Sequence, residues 1–314
     1  MQKIIPLTLD SPFSEGIVVV YAVLGETATL IDTGNPGEKS FYQLKSLLKD
    51  HKLSFKDFDH IIVTHMHTDH CGGVRLIQQE APLPVYVHEL ARPAITGGEA
   101  EFNRINQFFN DFIRQCGADA SVHQHARKYK EEIWRDVHYV SEGDEVYIGG
   151  RPYSVLHVPG HSQTDILLID EIQGITFVGD HIIPELAVNA FIEPPIQGTN
   201  HRPAPLIQYR ESLIRSRGRQ LGKCFSGHGK PFTQHIELID KRLAQQDARC
   251  QQIRQVLKER DKNVYEICQE VYPHLKGGIV FLGLSQIQGH LDLMETRNEV
   301  MKEERNSITY YKLI

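Results

Sequence analysis

The chain has 314 residues, a formal net charge of -6, 40% hydrophobic and 24% charged residues. That is the composition of one large globular domain, or of a large domain with a small one; it excludes a disordered or fibrous chain and argues against a dominant polybasic role at nucleic acid or membrane. The longest apolar run, Ile17–Leu24, is well short of the roughly 20 residues a bilayer span takes, and the opening segment lacks the apolar core and cleavage site of a secretion signal, so a cytoplasmic location is expected.

In chain order, Ile17–Leu24 and Thr27–Ile31 read as β-strands around a Gly25-Glu26 turn, followed by a dense turn cluster from Asp32 to Gly37. Phe41, Leu44, Leu47 and Leu48 mark a helix over Ser40–Asp50. His60–Thr64 is a short strand, Gly72-Gly73 opens a helix to Glu80, and Val85–Val87 is the next strand. Residues 91–135 change character: Glu101–Cys116 sets Phe102, Ile105, Phe109, Phe112 and Ile113 on one helical face, and a polar helix-like piece runs on to Trp134. This is read as a helical insertion. Strands resume at Val137, Val146–Ile148, Tyr153–Val158, Ile166–Ile169 and Ile175–Val178, then a helix over Leu206–Ser216 and a last short strand, Cys224–Ser226. From residue 235 the pattern is helical to 271, breaks at Gly277-Gly278, continues as a helix over Ser285–Glu304 and ends in a strand, Ile308–Leu313. The expected organisation is a catalytic domain over 1–234 carrying the insertion, and a mainly helical C-terminal domain over 235–314. That tail holds 12 Lys/Arg and 12 Asp/Glu, so the net charge lies in the first domain.

The five cysteines are scattered and odd in number, which speaks for reduced thiols rather than a disulfide framework. Histidine stands out, at 17 residues. His65, His67, Asp69 and His70 lie within six positions, directly after a strand. In extended chain, residues i and i+2 point the same way, so His65 and His67 can grip one ion, and a turn at Thr68 sends Asp69 and His70 toward a second. Two such ions would sit about 3.5–4 Å apart. Further ligands are expected from other strand ends. His161, Asp180 and His228 each follow an apolar run and stand beside glycine, which allows close backbone approach.

In this order, TLIDTG (Thr29–Gly34), THMHTDHCGG (Thr64–Gly73), VPGHS (Val158–Ser162), FVGDH (Phe177–His181) and SGHGKPF (Ser226–Phe232) resemble the motifs of the metallo-β-lactamase superfamily of hydrolases. The resemblance covers about residues 15–235. It implies a four-layer αββα sandwich with an α/β fold, and a small, winged-helix-like C-terminal domain. It also implies that His65, His67 and His161 hold one metal ion, that Asp69, His70 and His228 hold a second, and that Asp180 bridges both. The ions would be divalent, zinc by default, with manganese or iron served by the same donors. Asp32 would be a buried carboxylate bracing the ligand loop. The bridging aspartate separates this chain from secreted zinc β-lactamases and draws it toward glyoxalase II, lactonases and endoribonuclease-like relatives. The activity implied is hydrolysis by a metal-activated water, with Asp69 and Asp180 as the catalytic carboxylates.

Among the remaining candidates, His181 is read as a pocket or supporting residue, and Tyr209 as a packing residue with substrate contact as its alternative. Cys71 and Trp134 are read as packing groups, and His123 and His125 as solvated. The expected substrate is a small-molecule ester, thioester or lactone, with the apolar insertion as a lid or a packed helix. RNA or another phosphodiester is the alternative, weakened by the neutral tail. No membrane partner is expected, and the sequence says nothing of oligomeric state.

Overall fold

The computed structural model describes residues 2–12, 16–119 and 128–314. Its first three strands, β1 (Lys3–Asp10), β2 (Ile17–Leu24) and β3 (Ala28–Ile31), pair antiparallel. β4 (His60–Ile62), β5 (Val85–His88) and β6 (Val137–Val140) then add in parallel, which completes a six-stranded sheet in sequential order. Parallel neighbours need crossovers. Here these are α1 (Glu38–Asp50), the pair α2 (Thr68–Cys71) and α3 (Val74–Glu80), and the segment holding α4 (Arg92–Thr96) and α5 (Gly98–Gln115). A second sheet is the antiparallel meander β7 (Glu145–Ile148), β8 (Arg151–His157), β9 (Ile166–Asp170) and β10 (Ile175–Gly179). β11 (Lys223–Ser226) joins it parallel to β10, after α6 (Pro205–Arg217).

The layers follow from the two-residue period of β2. Val18, Val20 and Ala22 enter one apolar layer with Leu44 and Leu48 of α1 and Val74 and Ile77 of α3. Val19, Tyr21 and Val23 enter another with Tyr153, Val155, Leu168, Phe177 and Phe225 of the second sheet. The two sheets therefore pack face to face, with α1 and α3 outside the first. On the second, Ser212 of α6 donates to Pro159 O at 2.9 Å. This is the αββα sandwich. On α1, Phe41, Leu44 and Leu48 fall on the core stripe, and their burial is worth about 1.5–3 kcal/mol each.

The chain divides into two compact units: Met1–Thr96, Glu132–Val188 and Ser212–Leu238, and Gly97–Glu131, Asn189–Glu211 and Ile239–Ile314. The first contains the sandwich. The second contains α5, most of α7 (His235–Val256), α8 (Val264–Val271), α9 (Val280–Thr296) and a three-stranded antiparallel sheet, ordered β12 (Lys262–Asn263), β14 (Ile308–Leu313), β13 (Val300–Arg305). In it Phe109 and Phe112 of α5 meet Phe281 edge-on, at 5.3 and 6.1 Å between ring centroids, so the apolar face of the insertion helix has a packing partner. Asn263 caps α8 reciprocally with Glu266: each side chain accepts from the other's backbone N–H at 2.9 Å.

Three expectations need correction. The helix expected over Ser285–Glu304 ends at Thr296; Asn298 takes φ 56°, and residues 300–305 form a strand paired with β14 through Asn306 and Ser307, at φ 51° and 64°. Two successive left-handed residues make the tight hairpin turn whose twist suits paired strands. The polar piece before Trp134 is not helical at residues 128–135, and Trp134 packs on the first core. β1 went unread, although Ile5, Leu7 and Leu9 alternate into the core. It is an edge strand, where Pro6 is tolerated. His123 and His125 lie outside the described residues. Among the described residues, no helix is long and apolar enough to cross a membrane.

Candidate metal centre

β4 ends at Ile62, and the chain then turns sharply through Thr64–Cys71 into α2, so that His65, His67, Asp69 and His70 emerge at the end of a parallel strand. The second sheet supplies the rest. His161 follows β8, Asp180 follows β10 and His228 follows β11. The aim of Asp180 has a visible cause. Phe177 pairs with Phe225 but Gly179 pairs with Ser226, so β10 carries one extra residue, a bulge of the kind that redirects the next side chain.

The structure brings all seven together, as three overlapping groups whose ligand-type atoms lie within 4.8 Å of one another: His65, His67 and His161; His65, His70 and Asp180; Asp69, His70 and His228. His67 Nδ1 is 2.8 Å from His161 Nε2. Asp180 Oδ1 is 3.4 Å from His70 Nε2, and its Oδ2 is 3.1 Å from His228 Nε2 and 3.5 Å from His161 Nε2. Asp69 Oδ2 is 3.6 Å from His228 Nε2. The carboxylate of Asp180 thus reaches imidazoles from both sets.

Three of these rings are oriented from behind in the same way. His70 Nδ1 donates to Asp32 Oδ2 at 2.8 Å, and His228 Nδ1 donates to Ile17 O at 2.5 Å. His65 Nδ1 lies 3.1 Å from Thr64 Oγ1 and 3.5 Å from Asp165 Oδ1. A proton fixed on Nδ1 leaves the Nε2 lone pair facing inward. The Nε2 atoms of His65, His70 and His228 and the Oδ1 of Asp180 are all buried without a hydrogen-bond partner. Native interiors pair such atoms, so several orphans converging on one place call for an occupant. Imidazole nitrogens and carboxylate oxygens are the donors that divalent first-row cations take. The donor set fits.

Electrostatics divide the histidines, lowering the pKa of His65 and His67 and raising that of His70 and His228. Burial, then neighbouring imidazoles, holds His65 and His67 well below the ordinary histidine range, which keeps them neutral, as ligation requires. Burial acts against the charge of Asp180, but His70, His161 and His228 outweigh it and keep the carboxyl well below its usual range. Burial likewise opposes protonation of His70 and His228, yet Asp180, joined at His70 by Asp32, raises both. Among the described residues, the ion-pair partners of Asp32, Asp69 and Asp180 are histidines.

Asp32 sits where the bracing carboxylate was expected. Besides His70, it accepts from Thr64 N at 2.8 Å and from Thr64 Oγ1. Its φ of 62° is a left-handed conformation that a non-glycine residue adopts at a cost. Sequence reasoning missed Asp165, which accepts from Ser162 N at 3.0 Å and faces His65. Its only signal was its place four residues after His161. It also missed Tyr21, whose hydroxyl donates to Ser226 O at 2.6 Å. His181, for which a pocket or a supporting role was expected, is fully buried, with Nε2 2.9 Å from Ser216 Oγ on α6. Burial, then His161, lowers its pKa to about 3. Tyr209, for which packing or substrate contact was expected, is buried within the second unit, near Arg242. The Cys71 thiol is buried against Met66 O at 3.5 Å, and burial pushes its pKa up, so it packs.

Comparison with known proteins gives this geometry its context. The description of the metallo-beta-lactamase superfamily matches residues 14–228. A relative from Bacillus subtilis (strain 168) named "Probable metallo-hydrolase YqjP" is 28% identical over 99% of this chain and 98% of its own length. Human "Acyl-coenzyme A thioesterase MBLAC2" is 28% identical over 119 residues, 38% of this chain and 39% of that protein. Among solved structures, the metallo-beta-lactamase family protein TTHA1429 from Thermus thermophilus superposes with a TM-score of 0.83, at 19% identity, over 99% of this chain and 98% of that one, which shows the shared fold. The matched region runs from β2 through His228 and so takes in every one of the converging donors; the chain belongs to the metallo-beta-lactamase superfamily and is a metal-dependent hydrolase.

Proposed function

We propose that this chain hydrolyses a small ester, thioester or lactone at a dinuclear centre. His65, His67 and His161 hold one divalent cation, Asp69, His70 and His228 hold the other, and Asp180 serves both, with zinc as the first choice. The observation that carries the reading is the position of Asp180: one buried carboxylate within reach of imidazoles from both donor sets. The thioesterase named among the relatives supports an acyl substrate. The five cysteines, all buried and unbridged, support a reducing, cytoplasmic setting.

Cations held there lower the pKa of water and draw charge from a substrate oxygen. The chain's own residues do the rest. Asp69, with its side chain 10% exposed, is the carboxylate placed to orient the attacking water and take its proton. Asp180, kept ionised, balances the charge of the centre. The Nδ1 bonds of His70 and His228 lock the rings so that no reorganisation is needed during turnover.

The test is hydrolysis by metal-reconstituted protein of a matched panel: an acyl thioester, an acyl-homoserine lactone, a phosphodiester and a short RNA, with Asp180→Ala as the blank. Thioester or lactone turnover lost in the blank is the expected result. Cleavage of phosphodiester or RNA, lost in the same blank, overturns the substrate class while leaving the centre intact.

A further inference from the structure

β2 grips the last ligand turn at three points. His228 Nδ1 donates to Ile17 O at 2.5 Å, Val19 N donates to Gly227 O at 2.8 Å, and the Tyr21 hydroxyl donates to Ser226 O at 2.6 Å. Residues i, i+2 and i+4 of the strand thus meet three successive residues, Ser226 at the end of β11 and Gly227 and His228 in the turn after it. The spacing follows from the two-residue repeat of a strand, which sets Ile17 O and Val19 N on one edge and recurs in the side-chain direction of Tyr21. The turn is closed from within by Ser226 Oγ donating to His228 O at 2.5 Å. It is tied to the Asp180 bulge by Gly227 N donating to Gly179 O at 2.7 Å. Two of the three points are backbone and accept any side chain. The third needs a hydroxyl at the end of an aromatic ring, and Tyr21 supplies it. The ring itself is fixed, edge-on at 5.5 Å to both Phe177 and Phe225, and 2% exposed.

We propose that Tyr21 is a positioning residue for His228, acting through the Ser226 carbonyl to hold the turn at the height where His228 Nε2 meets Asp69 and Asp180. The proposal rests on the reading of His228 as a ligand and goes beyond it. Removing the hydroxyl leaves the Ser226 carbonyl unpaired in a buried place, and the turn relaxes to find another donor. His228 then loses its height while His65, His67 and His161, held by other elements, keep theirs. The consequence is asymmetric: one ion weakens and the other does not.

Tyr21→Phe tests this because it keeps the ring that packs on Phe177 and Phe225. Zinc is titrated into metal-free full-length wild type, Tyr21→Phe and His228→Ala against a chromophoric chelator, and thermal melting of the metal-free proteins is followed in parallel. Wild type is expected to take two ions and His228→Ala one. Tyr21→Phe is expected to take two, with the affinity of one lowered about tenfold or more and that of the other unchanged, the size seen when a ligand's supporting bond is removed. Equal weakening of both sites, or a melting shift with neither site changed, would make Tyr21 merely structural and overturn the proposal. Should Tyr21→Phe fail to fold, Ser226→Ala, which removes the internal bond to His228 O, is titrated in its place and judged by the same asymmetry. If wild type takes fewer than two ions, it is the dinuclear reading that fails, which the wild-type titration shows before any variant is compared.

Discussion

Asp32 Oδ2 stands 2.8 Å behind His70 Nδ1, on a backbone held at φ 62°. The same carboxylate takes both donors of Thr64, so the start of the ligand loop and the fourth residue of its motif hang on one side chain. Asparagine tolerates left-handed backbone and keeps the acceptor oxygen, but it lacks the charge. Asp32→Asn is therefore expected to fold and to bind metal 10–100-fold more weakly, measured by chelator competition. Asp32→Ala adds backbone strain and unpaired Thr64 donors, and should cost a further 1–3 kcal/mol or so in urea unfolding.

Gly227 has no room for a side chain. A Cβ there would come within 3.0 Å of Asp180 Oδ1 and His70 Cε1 at once. Both neighbours belong to the converging donors, so relief of the clash must displace one of them. Gly227→Ala is expected to lose bound metal and about 100-fold or more in turnover, while overpacking costs about 1–3 kcal/mol of stability. Metal analysis beside circular dichroism separates the two effects. Retention of the wild-type metal content and turnover would show that the site can widen freely.

Stability should fall with acid through a residue remote in sequence from the metal motifs. His290 of α9 is buried, its Nδ1 donates to Gln286 O at 2.7 Å, and its Nε2 has no partner. Burial, only partly opposed by that bond, lowers its pKa to about 4. A native pKa below the unfolded value of about 6.5 means that the unfolded chain binds the proton first. The contribution is whole above about pH 6.5 and fades as the pH falls toward 4, by roughly 3 kcal/mol at most. In urea unfolding, the gap between wild type and His290→Gln should be wider at pH 7 than at pH 4.5. A gap independent of pH would refute the assignment.

Arg202 and Asp292 form a two-pronged pair in the second unit, with both bonds at 2.8 Å; Asp292 also accepts from Gln288. The aspartate side chain is 12% exposed. Arg202→Ala leaves that charge largely buried and unmatched, so a loss of about 3 kcal/mol is expected in denaturant unfolding. Arg202→Lys should recover only part of it, because an ammonium cannot reproduce the parallel fork.

The donors were legible because the chemistry is written in identities: His65, His67, Asp69 and His70 fall within six positions, and His161, Asp180 and His228 follow apolar runs with glycine alongside. Periodicity exposed α1, α5 and most sandwich strands, whose faces are plainly apolar. The supports were less visible. Asp165 and Tyr21 act through hydrogen bonds across the fold, and local sequence carries no trace of such partners. The segment Val300–Arg305 misled because Lys and Glu favour helix, while pairing with Ile308–Leu313 decided for strand. The cue is Asn306-Ser307, two polar residues that take left-handed backbone and close the hairpin. His181, beside Asp180, offered a pocket role or a supporting one, and the fully buried ring is turned onto Ser216 of α6.

His228 meets Ile17 across 211 positions of chain. Contacts so distant in sequence form late, after local strands and helices have already collapsed. During synthesis, β2 can join β1 and β3 early, yet its third partner has not been made until nearly three-quarters of the protein has left the ribosome. A truncated product ending before residue 228 would carry His65, His67 and His161 but not His228, so on the two-ion reading capture of the second ion marks chains that have grown past that turn.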